Sequence, residues 1–349
     1  MRALMLEDPG TPPQLMVVDL PVPQPGPGEA LVRVAACGFC HHDLQVMNGT
    51  LRRGVAPGVV LGHEISGVVE EVGEGVDLVS PGDRVVSLLT NACGQCDRCR
   101  SGREHRCRDG EGIGHWRNGG FAEYVALSQH SLVPLPVAVD LPTASLLACP
   151  AGVALQALNA VNVSAGETVV VTGAGGGLGV HAVQLAAALG ARTLAVTSTS
   201  GKATVLYRYG ADDVIEMNAP DSGLEFSGVV MAVTGDLGAD VVIDTVGTPT
   251  LRSSVRCLGQ YGRLAVLGEV GGEGSLRGII PEIIFRDARI TGVSGVSRQT
   301  LEQVIALAAD GSLTPVLQRL MVLEEAAHAA ELLSERTILG RVALVPQAG

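Results

Sequence analysis

The chain has 349 residues, 46% of them hydrophobic and 17% charged, which leaves room for two cores and excludes an intrinsically disordered chain. A formal net charge of -12 excludes nucleic acid as the main partner, because neutralising phosphates needs a basic face. Arg2, Glu7 and Asp8 stand where a signal peptide needs an apolar core, and the longest apolar run is broken by His181, Gln184 and Arg192, so neither membrane nor secretory signals are expected. A cytoplasmic location follows as the expectation. Eight cysteines then read as metal ligands or core thiols rather than as a disulfide framework.

Residues 1–36 read as short strands and turns. Pro21, Pro23, Pro25, Gly26, Pro27 and Gly28 form a segment that cannot be helical. Strands are predicted at Ala30 to Ala36, Ile65 to Val72 and Arg84 to Leu89, separated by Cys37-Gly38-Phe39-Cys40-His41-His42-Asp43, Gly62-His63-Glu64 and Pro81-Gly82-Asp83. Short strands with Gly and Pro punctuation point to a small β-rich, barrel-like unit.

Cys93, Cys96, Cys99 and Cys107 form C-x2-C-x2-C-x7-C. Four thiolates on one short loop can close a tetrahedron around zinc and leave no open coordination position, the mark of a structural site. An iron–sulfur cluster can also use four cysteines; zinc is the preferred reading. Arg98, Arg100, Arg103, Arg106 and Arg108 surround the ligands and are expected to offset the thiolate charge. Cys257 lies in an apolar stretch and reads as core. Cys37 and Cys40 form C-x-x-C, but not at a helix start after a βαβ strand, so redox chemistry is disfavoured.

From about Gly152 the pattern becomes α/β. Strands are predicted at Thr168–Thr172, Thr193–Thr197, Asp213–Ile215, Asp240–Ile243, Arg263–Leu267 and Arg289–Val293. Helices are predicted at Leu178–Gly190, Gly201–Gly210 and Pro249–Leu258. Between the first strand and the first helix lies Gly173-x-x-Gly176-x-x-Gly179. Strand, glycine turn and helix are the context in which such glycines mean dinucleotide binding: the backbone can approach a pyrophosphate, and the helix N-terminus supplies N–H donors. The arrangement predicts a doubly wound parallel sheet. Helices at Thr300–Ala309 and Leu323–Leu333 and a strand at Arg341–Val345 complete the chain.

These motifs together resemble the zinc-containing medium-chain dehydrogenase/reductases over nearly the whole sequence. Gly38-Phe39-Cys40-His41-His42-Asp43 is similar to the family's G-x-C-H-[TS]-D, Gly62-His63-Glu64 to its G-H-E, the four-cysteine segment to its structural zinc lobe, and Gly173 to Gly179 to its G-A-x-G-G-L-G turn. The resemblance implies an α/β chain with a Rossmann cofactor sheet inserted into a β-rich, GroES-like barrel. The expected parts are a catalytic domain at 1–151 with the lobe at 93–107, a dinucleotide-binding domain at 152–293, and a catalytic-domain completion at 294–349. It implies a catalytic zinc held by Cys40, His63 and Cys149, with Glu64 as an exchangeable ligand, so two zinc ions per chain. Asp43 would fix the tautomer of His63, and His41 would contact the cofactor pyrophosphate. Gly173, Gly176, Gly177, Leu178, Gly179 and Gly268 would line the cofactor site. Two departures stand out. His42 replaces the Thr or Ser that relays the alcohol proton, and an imidazole can itself relay one. Cys149 precedes Pro150 where many members have C-A-G.

The expected activity is hydride transfer between an alcohol or carbonyl substrate and a nicotinamide cofactor. Val242 to Thr250 and Gly179 to Gln184 also resemble an enoyl-CoA-type reductase branch, which supplies the alternative of an acryloyl-CoA-like reductase with a non-catalytic zinc. A non-catalytic nucleotide sensor is a third possibility, against which the intact metal constellation argues. NADP(H) is favoured over NAD(H): the second strand ends in Thr197-Ser198-Thr199-Ser200-Gly201-Lys202, without the carboxylate that clamps an NAD ribose, and with hydroxyls and an ammonium that suit a phosphate. Leu88 and Trp116 are candidate pocket residues. The expected partners are a small-molecule substrate and further copies of the chain, as a homodimer or homotetramer, with Arg289 to Val293 as the pairing edge.

Overall fold

The strand Glu29–Gly38 organises the N-terminal unit. Its buried residues include Ala30, Val32, Val34, Ala36 and Cys37. It pairs antiparallel with Glu64–Val72 on one side and with Tyr124–Ser128 on the other, and its last residues, Cys37 and Gly38, pair with Leu344 and Ala343. The sheet runs Leu317–Val322, Arg341–Val345, Glu29–Gly38, Glu64–Val72, Arg84–Ser87, Leu132–Pro134. Phe39 and Phe121, both fully buried, stack at its centre with ring centroids 5.6 Å apart. Burying one such ring contributes about 1.5–3 kcal/mol. Ala326, Ala329, Val342 and Leu344 join the same core, which is the physical reason the C-terminal segment belongs with the N-terminal one.

This is a computed structural model, which describes residues 1–217, 225–271 and 278–346. It divides into two units, Met1–Gly152 with Gly295–Gly349, and Val153–Ser294.

In the second unit β1 (Thr168–Val171), β2 (Arg192–Thr197), β3 (Asp213–Glu216), β4 (Ala239–Asp244), β5 (Leu258–Val266) and β6 (Arg289–Gly292) form one parallel sheet in the order β3-β2-β1-β4-β5-β6. The order reverses between β1 and β4, and in open α/β sheets that switch point is where nucleotides bind. The helices are α1 (Gly177–Ala188), α2 (Ala203–Arg208), α3 (Ser227–Val233), α4 (Thr248–Arg256) and α5 (Ile280–Phe285). Val170, Leu194, Val242 and Leu264 form the fully buried centre.

The predicted strands all occur, with shifted ends. β5 starts at Leu258 instead of Arg263, and the helix predicted at Leu323–Leu333 divides into a 3-10 turn, Leu323–Glu325, and a helix, Ala326–Ser334. The helices His41–Met47, α3 and α5 and the strand Leu317–Val322 were not anticipated; all are short, and the last three bury few of their residues. Among the described residues no helix is long and apolar enough to cross a membrane.

Candidate active site and metal centres

Three segments of the first unit bring Cys40, His63, Glu64 and Cys149 together. Their ligand atoms all lie within 4.8 Å of one another, and all four side chains are buried. Cys40 ends the loop after Glu29–Gly38 and caps the helix His41–Met47. Asp43 steadies that corner: its Oδ2 accepts from the Cys40 N–H at 2.8 Å, and its Oδ1 lies 3.4 Å from His63 Nδ1. Facing Asp43 with Nδ1 leaves the other ring nitrogen of His63 for a metal. Glu64 opens the strand Glu64–Val72. Cys149 sits in a π-helical turn, Leu147–Gly152, where Pro150 has no N–H and the Ala151 N–H reaches back to the Leu146 carbonyl. Cys149 Sγ lies 4.0 Å from Cys40 Sγ.

A fifth residue completes the cluster. Arg341, 4% exposed, opens the strand Arg341–Val345 and reaches Glu64 at 3.0 and 3.3 Å and Cys40 Sγ at 3.3 Å. Only a lone arginine heading an apolar strand marked it in the sequence. The electrostatics follow. Cys40 is held well below the ordinary thiol range by the Cys149 thiol, against burial and with the help of Arg341 and His63; Cys149 is pushed well above it. Burial raises Glu64 to about 7, although Arg341 opposes this. Burial alone would lower His63, but Asp43 and Cys40 outweigh it and raise it.

This donor set fits zinc. Two thiolates and one carboxylate would be balanced by a divalent ion and one guanidinium. Of the six buried side-chain N or O atoms without a well-formed hydrogen bond among the described residues, three are Asp43 Oδ1, His63 Nδ1 and Glu64 Oε1; they face one another and Arg341 as ion pairs.

His41 and His42 begin the same helix, and both are partly buried. The His42 ring meets the His63 ring edge-on, centroids 5.2 Å apart, and the His115 ring at 5.4 Å. Burial, with His63 and His115 nearby, lowers His42 below the ordinary imidazole range. Leu88 is fully buried in the core, whereas Trp116 is 57% exposed.

The four-cysteine lobe converges independently. Cys96 caps the short helix Asp97–Arg100, which carries Cys99, and Cys107 follows the 3-10 turn Glu104–Arg106. Sulfur separations are 3.4 Å for Cys93–Cys107, 3.6 Å for Cys96–Cys99 and 3.9 Å for Cys96–Cys107. Tetrahedral zinc with Zn–S of about 2.3 Å requires about 3.8 Å between sulfurs. Several of the arginines also hold the lobe together, and the Cys96 sulfur is among the charges that act on Arg108. Arg98 donates to the Arg106 carbonyl, Arg103 to Ser101, and Arg108 forms a two-point pair with Asp97 at 2.5 and 2.8 Å. Backbone N–H groups of Arg108 and Cys99 meet the Cys96 sulfur and bring its thiol down to about 6.

In the second unit the turn between β1 and α1 is built for close approach. Gly173 has φ +59°, and a Cβ there would lie 2.6 Å from Thr245 Oγ1. Gly179 sits so near the turn that a Cβ would come 2.6 Å from Ala174 Cα. Gly176 caps α1, and Gly177 and Leu178 form its first turn. The Lys202 side chain lies against the turn, where a Cβ on Gly175 would stand 2.5 Å from its Cδ. Thr197 is buried and Ser198 exposed at the end of β2. Gly268 packs against the Thr245 carbonyl. One carboxylate was missed: Glu216, at the end of β3, pairs with Thr197 and accepts from the Gly201 N–H at 3.2 Å. It reaches the end of β2 from the neighbouring strand, which linear spacing along β2 does not reveal.

Known proteins share this arrangement. Residues 26–137 match the family model described as "Alcohol dehydrogenase GroES-like domain", and residues 177–310 the one described as "Zinc-binding dehydrogenase". An "Acryloyl-coenzyme A reductase" of Metallosphaera sedula is 38% identical over 322 residues, covering 92% of this chain and 93% of its own. An "NAD-dependent alcohol dehydrogenase" of Sulfurisphaera tokodaii is 32% identical, covering 99% of this chain and 100% of its own. A crystal structure of an NAD-dependent alcohol dehydrogenase superposes with a TM-score of 0.92 at 34% identity, covering 99% of this chain and all of that one. With its two-unit fold and two converged cysteine-containing clusters, the chain belongs to the zinc-type medium-chain dehydrogenase/reductase family of oxidoreductases.

Proposed function

We propose that this protein is a zinc-dependent alcohol dehydrogenase or carbonyl reductase using a nicotinamide cofactor. The observation that carries this reading is the buried cluster of Cys40, His63, Glu64 and Cys149, a set of soft and borderline ligands within 4.8 Å of one another. Zinc held by Cys40, His63 and Cys149 would supply Lewis acidity, and a nicotinamide cofactor would supply the hydride chemistry. The chain's own groups do the rest. Asp43 orients the His63 ring. Arg341 holds Glu64 and offsets the charge of Cys40. His42, standing where the family has a hydroxyl, is the group placed to exchange the alcohol proton. Cys93, Cys96, Cys99 and Cys107 hold the structural zinc. For the cofactor, Gly173, Gly176 and Gly179 let the backbone approach the pyrophosphate, and Lys202 with Thr197 and Ser198 favours a 2′-phosphate, hence NADP(H).

Two observations favour second readings. The relative at 38% identity bears the name acryloyl-CoA reductase, which supports reduction of an activated C=C bond. Glu216 beside Thr197 favours NAD(H), because a carboxylate there can bind a ribose hydroxyl and repels a phosphate. One experiment separates the activities: alcohols, aldehydes and acryloyl-CoA are assayed with both cofactors, using wild type and His63→Ala. Loss of alcohol or aldehyde turnover in His63→Ala by about a thousandfold or more supports the proposal, a size in line with removing a group acting in the transition state. Acryloyl-CoA reduction untouched by His63→Ala, with no alcohol turnover in wild type, overturns it.

A further inference from the structure

Asp244, the last residue of β4, is 0% exposed and belongs to neither metal centre. Among the described residues no cation pairs with it; its charge is met by neutral donors alone. Oδ1 accepts from Thr172 Oγ1 at 2.8 Å, from Thr250 Oγ1 at 2.8 Å, and from the N–H groups of Val246 and Gly247 at 3.0 and 2.9 Å. Oδ2 accepts from Ser254 Oγ at 2.6 Å and from Thr250 Oγ1 at 2.9 Å. A buried charge with no counter-ion is costly unless its lone pairs are filled in this way, and a domain core has no need of one.

The donors come from places that matter. Thr172 is the first residue of the glycine turn, and its hydroxyl also accepts from the Thr245 N–H at 3.1 Å, while its carbonyl accepts from Thr245 Oγ1 at 2.7 Å. Val246 and Gly247 form the loop after β4; Thr250 and Ser254 lie on α4. The next loop is tied in as well: the Leu267 N–H donates to the Asp244 carbonyl and the Val270 N–H to the Val246 carbonyl, each at 2.9 Å. Two turns, at the carboxyl ends of β1 and β4 on either side of the switch point, are thereby fixed to one carboxylate, and the loop after β5 is held to the backbone of the β4 turn.

We propose that Asp244 is a positioning residue for the nicotinamide nucleotide: it sets the glycine turn, through Thr172, at the distance from the β4 and β5 loops that the pyrophosphate requires. The inference rests on the reading of this unit as nucleotide-binding. Because the turn serves the pyrophosphate common to both cofactors, Asp244 acts on NADH and NADPH alike, unlike Lys202 and Glu216.

The test uses the full-length, zinc-loaded protein as wild type, Asp244→Asn, Thr172→Val, Thr172→Ser and Ser254→Ala. Dissociation constants for NADH and NADPH are read from nicotinamide fluorescence, beside the melting temperature. Asp244→Asn and Thr172→Val are expected to weaken both nucleotides by about tenfold or more, the size of a lost charge-assisted hydrogen bond. Thr172→Ser keeps the hydroxyl and is expected to restore binding. Ser254→Ala removes a donor on α4 and is expected to lower the melting temperature while leaving both constants within about threefold. Constants that simply follow the melting temperature across the set overturn the proposal, as does unchanged binding in Thr172→Val. If Asp244→Asn fails to fold, the Thr172 pair decides. A wild type that binds neither nucleotide removes the nucleotide reading itself, and this inference with it.

Discussion

Replacing Arg341 with Met tests the electrostatics of the metal cluster. The guanidinium is 4% exposed and lies 3.0 and 3.3 Å from the fully buried Glu64 and 3.3 Å from Cys40 Sγ. A methionine fills much of the space and leaves both anions without their cation. Removing one member of a buried pair costs about 3–5 kcal/mol. At about 3 °C per kcal/mol for a unit of this size, the melting temperature falls by about 9–15 °C. The sign of the pH effect follows from Glu64. Its carboxyl is raised from 4.5 to about 7 even with Arg341 present, so stability is lost as pH rises from about 4.5 to about 7, and the full penalty of burying the carboxylate is present above that. Without Arg341 that penalty grows. The Arg341→Met loss is therefore expected to be larger at pH 8 than at pH 5.5, and Arg341→Met/Glu64→Gln is expected to recover most of it. Urea unfolding of the four proteins at both pH values, on chelator-treated samples, measures the cycle. A single-variant loss below about 1 kcal/mol, or a double variant no better than the single, refutes the reasoning.

Cys96→Ala is expected to lower the zinc content by one ion per chain and to lower the melting temperature, measured by elemental analysis and calorimetry. Lys202→Ala is expected to raise the KM for NADP(H) about tenfold and leave that for NAD(H) nearly unchanged, as loss of one charged phosphate contact would; Glu216→Gln is expected to shift preference further towards NADP(H). The exposed edge strand β6 lies in a unit that also exposes Tyr261, Ile284 and Phe285 at 71%, 64% and 79%, and α5 buries none of its residues. Such a surface suits a second copy of the chain, and Phe285→Glu is expected to shift sedimentation from dimer or tetramer towards monomer.

The parallel sheet was readable because β-branched runs such as Thr168 to Val171 alternate with glycine-marked helix starts, and the central strands β1, β2 and β4 are buried on both faces. The lobe was readable because its four ligands lie within fifteen consecutive residues. What escaped prediction depends on contacts across the chain. Arg341 meets Glu64 only because Arg341–Val345 pairs with the strand before Cys40. Glu216 reaches the end of β2 only through the register of β3. Asp244 reads in sequence as the end of an apolar strand, and the five donors to its carboxylate come from residues as far away as Thr172. The short helix His41–Met47 was hidden because its start is also a ligand loop, where Asp43 caps the helix and faces His63 at once.

The two cysteine clusters differ in when a growing chain can complete them. The lobe needs only residues 93 to 107, so a zinc bound there would be able to enter while the ribosome is still at work. The other cluster draws on Cys40, His63, Glu64, Cys149 and Arg341. At about 5–20 residues per second, some 10–40 s separate the emergence of Cys149 from that of Arg341. During that interval the strand Glu29–Gly38 lacks the neighbour that later pairs with Cys37 and Gly38, and Cys40 and Cys149 lack their guanidinium. Loading of the second zinc is thus expected to be a late, post-synthetic event. Nascent chains arrested before Arg341 should carry one zinc rather than two, and two in such chains would show that the thiolates and imidazole capture the ion unaided.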